Sequence, residues 1–131
     1  MSEVRTDVEM RDQIRRDQIR ASMKKSWALQ DTPTKVRFFN LLNNPNMMPK
    51  VTALWDSDGQ QITGIKDEKN FGDIVEGLSS GEADMAKFCS GIWNQNCRRH
   101  PFDIVAAMRN FDSTNRSIIA EWTAYPFWVV N

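Results

Sequence analysis

Cys97 and His100 stand three residues apart, one helical turn if the helix persists there, and Asp103 follows three residues later. A thiol beside an imidazole that a carboxylate orients is the arrangement of an activated nucleophile. The chain holds one His, however, and no Gly-rich loop that would cradle an oxyanion. A Cys97/His100 hydrolase or transferase is therefore the enzymatic alternative, and the leading expectation is a protein that is not an enzyme. A partly buried thiol at a helix end and a polar His in a turn account for the same residues.

Metal chemistry is less well supported. Cys89, Cys97 and His100 lack the closely spaced Cys pair that opens common zinc frameworks, and Cys89 lies on an apolar helical stripe. Asp56-Ser57-Asp58-Gly59 has the opening of a calcium loop without its later oxygen ligands or distal Glu, so turn chemistry explains it better. No P-loop, dinucleotide fingerprint, nucleophile elbow or zinc-hydrolase motif occurs, and no cofactor is expected.

Basic residues cluster twice. Arg11, Arg15, Arg16, Arg20, Lys24 and Lys25 lie on one predicted helix, and Arg98, Arg99 and His100 share one turn. Lys24, Lys25, Arg98, Arg99 and His100 are the candidates for phosphate contact. The first helix interleaves its cations with acids, and the last predicted helix carries only Arg116, a poor endowment for reading bases. Nucleic-acid binding is accordingly the alternative function. Arg11, Arg15, Arg16, Arg20, Leu54, Ile65, Tyr125 and Trp128 are the candidates for a protein interface, the last two because aromatic side chains concentrate at contact sites.

Charge is balanced overall, with 17 Lys and Arg against 17 Asp and Glu, but it is segregated. Residues 1–50 hold ten cations and six acids, residues 51–86 two and eight, and residues 87–131 five and three. An acidic middle between basic flanks reads as solvated faces, as a surface for a basic partner, or as a self-complementary oligomer. The charged opening residues show no signal-peptide pattern, and no apolar run reaches the length of a membrane span. A cytoplasmic protein with free thiols and no membrane partner is expected.

These residues need elements to hold them. Residues 2–29 read as one long polar helix with a capping-box pattern at Thr6 and Glu9 and a tandem repeat, Arg11-Asp-Gln-Ile-Arg15 then Arg16-Asp-Gln-Ile-Arg20. Five residues is not a helical period, so Ile14 and Ile19 fall roughly 140° apart and make no coiled-coil seam. Asp31-Thr32-Pro33 starts a second helix. Residues 50–65 carry the one hairpin signal, with Asp58-Gly59 as the turn, Trp55 opposite Ile62, and Val51, Ala53, Trp55 and Ile62 on one face. Leu54 and Ile65 then lie on the other. Shorter helices follow at 67–78, 82–96, 102–111 and 115–125. Phe127 to Val130 is a candidate third strand that folds back on the core.

The expected fold is α+β and predominantly helical: a long N-terminal helix, a second helix, a hairpin at about 50–65 with 127–130 as its candidate neighbour, and four shorter helices. One domain is expected over 1–131, with residues 1–20 as a projecting arm. Trp27, Phe39, Leu42, Val51, Trp55, Ile62, Ile74, Phe88, Ile92, Val105, Met108, Ile118 and Trp122 form the predicted core. The expected function is a protein-interaction module with a protein partner and a homodimer through the N-terminal helix as one arrangement. A small accessory or inhibitor protein of the phage or mobile-element type fits that description.

Overall fold

The 15-residue stretch Ser80–Asn94 is the helix on which the other elements lean. Met85, Phe88, Cys89 and Ile92 recur at helical spacing, and all are buried. The computed structural model describes residues 10–19 and 31–130. In chain order the elements are α1 (10–19), α2 (Asp31–Leu42), α3 (Pro49–Thr52), β1 (Trp55–Asp58), β2 (Gln61–Ile65), α4 (Phe71–Glu76), α5 (Ser80–Asn94), α6 (Ile104–Asn110) and α7 (Ser113–Ala124). The fold is α+β, predominantly helical, with one antiparallel hairpin and four helices after it. The helical pattern expected over 2–29 is met at 10–19; the capping box at Thr6 and Glu9, and Trp27, lie outside the described residues.

The hairpin is shorter than the sequence pattern implies, and its register differs. Residues 50–53 are not strand: Pro49 opens the one-turn helix α3, which buries Val51. The Thr52 hydroxyl donates to the Leu42 carbonyl, so α3 caps the end of α2. The turn is Gly59-Gln60, one residue later than expected, with Gly59 at φ 63° and Asp58 paired to Gln61. Trp55 pairs with Ile65 rather than Ile62: the later turn moves its partner two residues along, and the ladder's shift between Asp56 and Ser57, which leaves Thr63 as an extra residue on β2, moves it one more. An extra residue reverses the in-out alternation. Ile65 therefore returns to the core side with Ile62, and Leu54, expected on an outer face, is 9% exposed and belongs to the core.

Aromatic rings fill the space between the hairpin and α5. The Trp55 ring meets Phe38 edge-on at 4.9 Å between centroids, with Trp93 at 5.6 Å and Phe71 at 6.1 Å. Edge-to-face pairs of this kind add about 1 kcal/mol each beyond area burial. Phe38 and Leu42, one turn apart, are the buried edge of α2, while Phe39 only flanks the core.

Two predicted core residues are exposed. Ile74 is 38% and Val105 75% exposed. α4 buries Phe71 and Val75, four apart, which leaves Ile74 at the side. In α6 the buried side is Ala107, continued by Phe111, and Val105 lies on the opposite side at helical spacing.

The C-terminal segment folds back, but not as a third strand beside the hairpin; the sheet has two strands among the described residues. It crosses the end of α5 instead. The Val129 N–H donates to the Ile92 carbonyl at 3.1 Å, and the Gln95 amide donates to the Val129 carbonyl at 2.6 Å. The Val130 N–H reaches the Thr34 hydroxyl, and the Trp122 indole N–H donates to the Phe127 carbonyl. Helix carbonyls at a C-terminus lack partners within the helix. The tail meets that need at α5, which explains why it lies there.

Candidate interaction surface

The residues proposed for nucleophilic chemistry do not come together. Cys97 lines an apolar cavity of about 270 Å³ with Phe88, Phe102, Trp122 and Trp128. His100 lines a separate polar cleft of about 350 Å³ with Glu68, Lys69, Asp73, Asn94 and Arg99. Asp103 orients no imidazole: its carboxylate accepts from the Val105 and Ala106 N–H groups and caps α6. The His100 ring packs edge-on against Phe71 at 4.7 Å. Burial, then the charges of Arg99 and Lys87, hold its pKa below the ordinary value. Burial pushes the Cys89 thiol up, so it stays protonated. Among the described residues no group of three or more His, Cys, Asp or Glu gathers as a metal site would.

The basic turn is partly engaged. The Arg99 guanidinium lies 2.9 Å from the Glu68 carboxylate, both side chains well exposed. Arg98 is exposed, and its backbone N–H donates to Asn96. Lys24, Lys25 and Arg20 lie outside the described residues.

Tyr125 and Trp128 are 79% and 49% exposed. Trp128 stands edge-on to Trp122 at 5.5 Å and walls the apolar cavity. The Tyr125 carbonyl accepts from Arg37, whose guanidinium also covers the Phe127 ring at 4.2 Å. Leu54 is buried within the fold, whereas Ile65 is partly buried, packs against the core and lines the His100 cleft.

The helix α1 is the surface with the clearest character. All ten residues from 10 to 19 are exposed, including Met10 at 56%, Ile14 at 54% and Ile19 at 52%. At about 100° per residue, Ile14 and Ile19 bound an arc of roughly 140°. Arg11, Arg15 and Gln18 fall within that arc, whereas Asp12, Gln13, Arg16 and Asp17 fall on the other side. The pentapeptide repeat thus sorts the helix into a cationic, apolar-flanked half and a half holding both acids. Gln13 donates to Asp17 at 2.9 Å on that second half.

A second exposed face lies on α4, and the sequence patterns do not single it out. Asp73, Ile74 and Glu76 all point to solvent. The signal was hidden because Ile74 reads as core in a pattern where Val75 takes that place. Among the described residues the one ion pair is Arg99 with Glu68, so neither Asp73 nor Glu76 has a cationic partner there.

Comparison with family models, with curated proteins and with solved structures matched none of them. Among the described residues no helix is long and apolar enough to cross a membrane.

Proposed function

We propose that this chain is a non-enzymatic protein-interaction module of the cytoplasm whose contact element is the helix at 10–19. One observation carries the reading: a regular helix in which every residue is exposed, with three large apolar side chains among them. Helices are marginal in water on local interactions alone. Most helical stability in proteins comes from docking an apolar face, and this helix docks none of its own. Helices that lay apolar anchors into a partner's groove have this form. The separation of Cys97 from His100 into different cavities supports the non-enzymatic part. An accessory or inhibitor protein of the phage type would use such a module, its output being the occupation of another protein's surface.

The test is capture of a partner from the native host by the full chain, beside Ile14→Asp and Ile19→Asp, each with nuclease treatment. The expected result is a defined protein, a second copy of the chain counting as one, retained after nuclease and lost with either substitution. Retention by both variants would overturn the proposal, because both substitutions place a charge in the proposed contact while leaving the buried core intact.

A further inference from the structure

We infer that the partner of this helix is a second copy of the chain, with Arg11 and Arg15 of one copy set against Asp73 and Glu76 of the other. The inference rests on the interaction-module reading and gives it an occupant. Arg11 and Arg15 are four apart on α1, and Asp73 and Glu76 are three apart on α4. Both spacings put the paired side chains about 5–6 Å from each other on one helix face. Two guanidinium groups one turn apart therefore match two carboxylates one turn apart.

Apolar groups sit in register with the charges on both sides. Ile14 lies beside Arg11 and Arg15, and Ile74, 38% exposed, lies on the Asp73 side of the acidic pair, about 100° round the helix from Asp73. A contact that pairs the charges brings the two isoleucines together, and their burial supplies the attraction that exposed ion pairs lack. Within one copy no hydrogen bond or ion pair among the described residues joins the two faces. Arg99 and Glu68 already satisfy each other, which leaves the α4 carboxylates as acceptors for an incoming cation. The long-range charge distribution agrees: ten cations against six acids over residues 1–50, and two against eight over residues 51–86. The two contacts are reciprocal, each copy giving one helix and receiving one, so a twofold axis closes the assembly at a dimer.

Sedimentation velocity of the full chain over a range of protein and salt concentrations tests this. A monomer–dimer equilibrium that weakens as salt rises is expected, since partly exposed ion pairs are screened. The double reversals R11E/R15E and D73K/E76K should each weaken dimerisation by roughly tenfold or more, by placing like charges opposite each other. All four together should restore it. The four altered residues are exposed, and circular dichroism and melting of each variant separate lost association from lost folding. A monomer at every concentration, a dimer indifferent to either reversal, or a fourfold variant that stays monomeric would each overturn the inference. A monomeric chain that still captures a host protein through Ile14 would leave the interaction-module reading standing; loss of both would remove the two together.

Discussion

A Cβ placed on Gly91 would stand 2.7 Å from the Sγ of Cys97, inside any real contact distance. Gly91 lies within the last turn of α5, and glycine inside a helix costs about 1 kcal/mol relative to alanine. The thiol of Cys97 thus explains a glycine that helix propensity disfavours. Gly91→Ala should destabilise the chain by about 1 kcal/mol, the forced overlap outweighing the gain in propensity. In a Cys97→Ala background the same change should stabilise it by a similar amount. Urea midpoints for the four chains of this double-mutant cycle measure the coupling, and additive effects would show that the thiol does not hold the position.

The tail is a structural member. Val129 is fully buried and bonded on both sides, to Ile92 and to Gln95, whereas Val130 is 40% exposed. Val129→Ala should cost about 2 kcal/mol and Val130→Ala less than about 0.5 kcal/mol. Gln95 sits at φ 64°, where glycine is normally preferred, and its side chain holds the Val129 carbonyl. Gln95→Gly exchanges that bond for relaxed backbone, so its loss should be smaller than that of Val129→Ala. Thermal melts order the three.

Much of this architecture was legible, and the errors have physical causes. The α5 stripe of Met85, Phe88, Cys89 and Ile92 is long and periodic, and the core follows it. Asp58-Gly59 marks the hairpin, but the extra residue Thr63 puts Ile65 on the core side, and the mark of that bulge is the isolated Gly64 rather than the apolar alternation. The helix expected from residue 82 starts at Ser80, because Ser79 and Glu82 form a reciprocal capping box ahead of it. In short helices such as α4 and α6 two apolar sides compete, and only packing decides between Ile74 and Val75. The separation of Cys97 from His100 depends on which walls the tail and α4 supply, and sequence spacing carries no information about that.

Nucleic-acid binding through the basic turn makes a distinct demand. Arg99 is paired with Glu68, so a phosphate there competes with that carboxylate. The chain is expected not to bind a DNA duplex or single strand at low salt, and Glu68→Gln should not create binding. Fluorescence anisotropy with salt titration checks this. Binding whose salt slope falls by about two on Arg98→Ala/Arg99→Ala would instead favour the phosphate-contact reading.

Acid should destabilise this protein in two separate windows. His100 has its folded pKa lowered, by burial first and then by Arg99 and Lys87, while Glu68 and Asp73 line the same cleft. The unfolded chain therefore takes up this proton before the folded one does. Stability is full above the ordinary histidine value of about 6.5 and declines as pH falls below it. Asp112 is lowered by the Thr114 hydroxyl and then the Asn115 N–H, and Glu82 by the Ser79 hydroxyl. Their contributions are present above the ordinary carboxylate range near 4 and disappear as pH falls through the lower folded values. Melting temperature followed from about pH 8 to about pH 2 should fall first near neutrality and again below about pH 4. His100→Gln should flatten the first decline while leaving the second, even though loss of the Phe71 contact lowers the whole curve. Asp112→Asn with Glu82→Gln should shrink the second alone. A first decline that survives His100→Gln unchanged would place that proton on another group.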